Sequence, residues 1–190
     1  NLALLEKSLA ETPDDPYVHF QLGKQYDIQL QYAEALPCYQ RARELVRNRP
    51  TWYHDLVVRT IECLRHEGRL EEAMIFASDE MPYWEQSADF YFVVGCLLLD
   101  QMQKHPEQGE SLLPMIEESW LKALAIGERP ELAGNVSGRG SFMAAGQLWA
   151  LFDARKEAEK AARYKDMQKK FYAQYKEAAD AGLVSAAALP

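Results

Sequence analysis

The stretch PYVHFQLGKQYDIQLQYAEALPCYQRARELV, residues 16–46, decides the fold. Leu22-Gly23 and Tyr26 fall on one face of a first helix. Tyr32, Ala35, Tyr39 and Ala42, three or four residues apart, fall on one face of a second. Gly23 and Ala35 are small where two such helices would cross, so their backbones can approach closely. Tyr26 and Tyr39 are large enough to fill the space between layers. Outward from this stretch the same periodicity continues, and nothing alternates with period two for long. It predicts helices over 1–11, 15–29, 32–46, 51–67, 70–80, 85–104, 109–127, 139–153 and 155–181. Pro13, Pro16, Pro50, Gly68, Pro82, Pro106, Pro130 and the 134–140 stretch stand between or at the edges of these segments.

The composition narrows the function classes. The chain has 190 residues, 48% of them hydrophobic, and a formal charge of -8. With a mean hydropathy of -0.38, wholesale disorder is excluded. A nucleic-acid binder needs a basic footprint to displace counterions, and the acidic balance argues against one. Cys38, Cys63 and Cys96 are an odd count and lie far apart. They support neither a disulfide framework nor a zinc finger, and a reducing, cytoplasmic setting is expected. The apolar run from Ala88 to Leu99 is interrupted by Asp89 and falls short of the ~18–20 residues that span a bilayer. No secretory signal is expected, because a basic segment followed by an apolar one is missing at the start.

The order Leu22-Gly23, Tyr26, Tyr32, Ala35, Tyr39, Ala42 resembles the tetratricopeptide repeat (TPR), a helix pair of about 34 residues. The resemblance implies an all-α fold: a right-handed superhelical solenoid of antiparallel helix pairs. It divides residues 1–190, read as one TPR-like domain, into a half repeat (1–13), a repeat (16–49), a degenerate repeat (51–84), an enlarged repeat (86–130) and a repeat running into a closing helix (139–182). In the degenerate repeat Thr60-Ile61 replaces Leu-Gly, while Gly68 and Ala73 are kept. The enlarged repeat carries Val94-Gly95 and then Trp120 and Ala123, about nine residues later than standard. The last has Ala145-Gly146, Trp149, Ala158 and Ala162, with Gly182 as its expected C-cap. A chain that opens at Asn1 on half a repeat is expected to be a piece of a larger protein.

Enzyme motifs are scarce: P-loop, GxSxG and HExxH patterns are missing. His19, His54, His66 and His105 sit in different segments without metal-ligand spacing and are expected to be packing or solvated residues. Asp14-Asp15, between Pro13 and Pro16, is expected as a turn and N-cap. Catalytic residues, metal and cofactor are therefore all expected to be none. The segment Gly134-Asn135-Val136-Ser137-Gly138-Arg139-Gly140-Ser141 precedes a helix, and free N–H groups with Arg139 could hold an anion. The plainer expectation is an interhelix loop with Ser141 or a neighbour as N-cap.

In TPR arrays the first helix of each pair lines a concave groove. Carried onto this sequence, its inward positions are Tyr17, Phe20, Lys24 and Asp27, then Asp55, Val58, Glu62 and Arg65 with Arg59 adjacent. They continue with Asp89, Phe92, Cys96 and Leu99, then Met143, Gln147 and Ala150. Mixed charge with two aromatic anchors suits a peptide or helix ligand, and the alternative is that several of the apolar residues, especially Phe92 and Leu99, bury against neighbouring repeats. The Lys/Asn clamp for a chaperone tail is not met, since Phe20, Lys24 and Arg59 stand at its positions. The charge is uneven: residues 153–182 carry a net +2 and the remainder -10, so the closing helix could dock on an acidic partner.

Two stretches resemble the C-terminal TPR region of bacterial family 2 glycosyltransferases. One runs from Asn1-Leu2-Ala3-Leu4-Leu5 through Pro13-Asp14-Asp15-Pro16-Tyr17 to Leu22-Gly23-Lys24-Gln25-Tyr26; the other is 134–142. The resemblance implies a non-catalytic scaffold beside a GT-A domain that would carry sugar transfer and that nothing in this chain supplies. The expected partners are a protein or peptide in the groove and an upstream catalytic domain, with neither nucleic acid nor a membrane span. The alternative is a free-standing peptide-binding TPR adaptor.

Overall fold

The computed structural model describes residues 2–183. Asn1 and positions 184–190 of the expected domain lie outside the described residues. Helices occupy α1 (Leu2–Glu11), α2 (Pro16–Ile28), α3 (Tyr32–Leu45), α4 (Tyr53–His66), α5 (Leu70–Glu80), α6 (Ala88–Lys104), α7 (Gly109–Ile126), α8 (Phe142–Ala154) and α9 (Ala158–Asp180). The fold is all-α among the described residues, and every helix expected from periodicity is present. The largest differences are at the starts of α6, α8 and α9, three residues later than expected. Local chemistry explains the first of these: a short 3-10 turn at Met81–Tyr83 precedes it, and Ser87 caps α6 by accepting the Phe90 N–H at 3.0 Å. Asp15 caps α2 as expected, its Oδ1 accepting the N–H groups of Tyr17 (2.8 Å) and Val18 (3.3 Å).

The chain divides into two compact units, residues 1–80 (α1 to α5) and 81–190 (α6 to α9). In the first unit α2 packs along α3, and α4 divides its contacts between α3 and α5. In the second, α6 packs along α7 and α8 along α9, with α7 against α8.

The close pairs share a device. At Gly23 an added Cβ would lie 2.5 Å from Cε1 of the buried Tyr39 ring. At Gly95 it would meet the indole of the buried Trp120. A missing side chain on one helix thus seats an aromatic from the next, and the sixteen-residue offset of Gly23–Tyr39 becomes twenty-five between Gly95 and Trp120. Along α4 and α5 the sizes are exchanged. Ile61 stands where the glycine would be and Ala77 sixteen residues on, both buried. Here the two helices of the pair make less contact, and α3 and α5 leave a cleft of about 480 Å³ between them.

The turn closing α2, α4, α8 and α9 is also repeated. In each, an N–H reaches back five residues: Gln31 to Tyr26 O, Arg69 to Leu64 O, Glu157 to Phe152 O and Leu183 to Ala178 O. This Schellman arrangement needs a left-handed residue before the donor. Gly68 (φ +69°) and Gly182 (φ +70°) supply it without strain, but Leu30 and Lys156 also adopt φ +60°. A side chain there costs about 1 kcal/mol. Leu30 is 71% exposed, so removing it sacrifices little burial. Leu30→Gly and Lys156→Gly are each expected to raise stability by about 0.5–1 kcal/mol in urea unfolding. A loss of stability in both would contradict this reading of the turn.

Candidate functional site

In the first unit the expected groove residues form a network. Lys24 Nζ lies 2.7 Å from Asp55 Oδ2, and Arg59 bridges Asp55 Oδ1 (Nε, 2.7 Å) and Asp27 Oδ2 (Nη1, 2.6 Å). Tyr39 donates its hydroxyl to Asp27 at 3.1 Å. Glu62 is half-buried on the same α4 helix as Asp55 and Arg59. Asp55 is buried and faced by two cations, the pairing that a buried carboxylate requires. Burial alone would lower the Arg59 guanidinium, but the facing carboxylates of Asp55 and Asp27 outweigh it and hold the group charged. Burial, then the Asp27 carboxylate, pushes the Tyr39 phenol and the Cys63 thiol well above their usual ranges. Lys24 and Arg59 are therefore engaged within the protein, and each is about one-quarter exposed.

The aromatic residues divide differently from expectation. Phe20 is buried: Trp52, from the turn before α4, stacks on its ring at 4.9 Å. Tyr17 stays 48% exposed, 5.7 Å from the half-buried Trp52. The accessible pair is thus Tyr17 with Trp52. Sequence reasoning passed over Trp52; an aromatic just ahead of an inward-facing helix was the available signal.

In the second unit Phe92 is buried, and its carbonyl accepts the Trp120 indole N–H at 3.2 Å. Met143 is half-buried. Gln147 lines a cleft of about 250 Å³ with Leu99, Met102, Leu113, Ala150 and Arg155. This brings together Leu99, Gln147 and Ala150 from the expected inward positions.

Arg139 does not stand open to an anion. It is 7% exposed, packs over the Phe92 ring at 5.6 Å and places Nη1 3.6 Å from Asp89 Oδ1. Asp89 also accepts the Val136 N–H at 2.8 Å, which ties the loop to α6. The anion at this loop belongs to the chain. Glu128 Oε1 accepts the Gly138 N–H at 3.0 Å and the Ser141 hydroxyl at 2.5 Å. Ser141 therefore makes no side-chain cap to α8. Gly140 lies against the Gly127 backbone, where any Cβ would collide, so the two ends of the loop are pinned together.

The histidines are dispersed: His19 bonds Pro13 O, His66 stacks on Tyr32 and His54 is buried. Among the described residues no group of three or more His, Cys, Asp or Glu could hold a metal ion, and no helix is long and apolar enough to cross a membrane.

No family model matches this chain, and no curated protein matches it. Among solved structures it is similar to a crystal structure of MamA, with TM-score 0.69 and 14% identity over 93% of this chain and 89% of that one. It is likewise similar to MamA 41-end from Desulfovibrio magneticus RS-1, with TM-score 0.69 and 15% identity over 91% and 84%. The glycosyltransferase resemblance has no counterpart in these matches. MamA is a TPR-fold protein; at this identity the likeness concerns the fold alone, and the fold of this chain is TPR-like.

Proposed function

We propose that this chain is a non-catalytic interaction scaffold that grips a peptide or helix along α2 and α4 of its first unit. One observation carries the reading. The exposed Tyr17 and half-buried Trp52 form an aromatic shelf seated on the buried Phe20, on the helices that also hold the Lys24–Asp55–Arg59–Asp27 network. Such a shelf offers an apolar anchor in a fixed place, and rigid aromatics are the usual centres of binding energy. The network holds its charges in position, so little side-chain freedom is lost on binding.

The test is selection of peptides on the whole chain, followed by titration. Tyr17→Ala and Trp52→Ala are each expected to weaken a selected peptide about tenfold or more with helicity unchanged. Peptides that bind these variants as well as the parent, or a selection that enriches nothing, would overturn the proposal. Arg59→Glu is the wrong probe, because it sets a third carboxylate beside Asp27 and Asp55 and attacks the fold. The narrower reading, an accessory region of a glycosyltransferase-like protein, rests on the two sequence stretches. A parent gene that encodes no GT-A domain would end it.

A further inference from the structure

The loop 127–141, the end of α7 and α9 line an open pocket of about 410 Å³ within the second unit, and Glu128 stands exposed at its rim. A cavity of this size is in the range of ligand sites. Its lining includes one charged residue, Glu128, two aromatic rings, Phe171 and Tyr175, and the polar side chains of Asn135, Ser137 and Gln174. Glu128 spends Oε1 on Gly138 and Ser141, while Oε2 has no partner and no Lys or Arg pairs with the carboxylate among the described residues. Among the described residues, the side chains of Asn135, Ser137 and Gln174 make no hydrogen bonds either. The loop is held in place from outside the pocket, by Asp89 on Val136 and Arg139 and by Arg129 Nη1 on Gln86 O at 3.0 Å.

A carboxylate without a cation, aromatic faces and spare amide oxygens together describe a host for an organic cation. The rings attract it through their quadrupoles, and the carboxylate supplies a charge-assisted acceptor. Planarity, several donors and weak hydration favour guanidinium over ammonium in such a setting. We propose that this pocket binds a guanidinium group, held by Glu128 Oε2 and stacked on Tyr175 or Phe171. The site is separate from the Tyr17–Trp52 shelf and stands or falls without it.

The experiment titrates the whole chain with N-acetyl-arginine amide, its uncharged isostere N-acetyl-citrulline amide, and N-acetyl-lysine amide, followed by NMR or calorimetry. The arginine derivative is expected to bind saturably, the lysine one more weakly and the citrulline one at least about tenfold more weakly. Glu128→Gln is the decisive variant. Its amide oxygen can still accept from Gly138 and Ser141, so the melting temperature should hold while arginine affinity falls about tenfold or more. Tyr175→Leu should weaken binding as well, and Glu117→Gln, on α7 and paired with Arg155, should not. Equal binding of citrulline, or arginine affinity unchanged in Glu128→Gln, overturns the proposal. If Glu128→Gln disturbs the loop, Phe171→Leu with Tyr175→Leu decides, and unchanged affinity in that pair overturns it. Agmatine and a Gly-Arg-Gly peptide separate the two sources of the group: tighter agmatine indicates a free metabolite, tighter peptide a side chain on a partner.

Discussion

Replacing Trp120 with alanine is expected to cost about 3–5 kcal/mol, the range for a buried aromatic cut to a methyl group. Trp120 is 1% exposed, seated over Gly95, with its indole N–H on the Phe92 carbonyl. Its removal leaves a cavity that the well-packed α6–α7 pair cannot fill by collapse, and one carbonyl loses a donor. Trp120→Phe keeps most of the ring but loses the hydrogen bond, so about 1–2 kcal/mol is expected. Urea unfolding followed by circular dichroism measures both. An alanine variant within 1 kcal/mol of the parent would mean that the indole is not a keystone of this pair. Where the units 1–80 and 81–190 melt in separate steps, only the second step should move.

The second large effect concerns Gly23. In Gly23→Ile the first added carbon would lie 2.5–2.6 Å from the Tyr39 ring, which is 0% exposed, so the ring or the helix must shift. Overpacking of this kind costs about 1–3 kcal/mol, occasionally more. Tyr39→Ala alone should cost about 3–5 kcal/mol, as other large aromatics do, and it also removes the bond to Asp27. The pair Gly23→Ile with Tyr39→Ala reproduces the arrangement of Ile61 and Ala77. The double variant is therefore expected to be more stable than the sum of the singles predicts, with a coupling of about 1–3 kcal/mol. Strict additivity would show that the two positions do not exchange volume.

The helices and their pairing were legible because they depend on local signals. Periodicity set the helices, Pro and Gly set their ends, and the Gly23–Tyr39 spacing set the pair. Which groove residues stay accessible depended on side chains distant in sequence. Phe20 lies at an inward position but is roofed by Trp52, thirty-two residues on. Arg139 was an anion-binding candidate because its segment precedes a helix with free N–H groups, yet Asp89 and Phe92, nearly fifty residues earlier, draw it inside. Glu128 lies only ten residues from Gly138. Its place just after the C-cap glycine of α7 was the signal that a carboxylate could fold back onto the loop.

The exchange of sizes at Ile61 and Ala77 has a consequence for engineering. Consensus design replaces each residue of a repeat by the commonest one at that position, and on that rule Ile61 would become glycine. Here the substitution would remove a fully buried side chain, and the buried Ala77, sixteen residues on, brings only a methyl group. The repeat grammar of this protein is written in pairs of volumes, so a family average taken one column at a time would spell a hole.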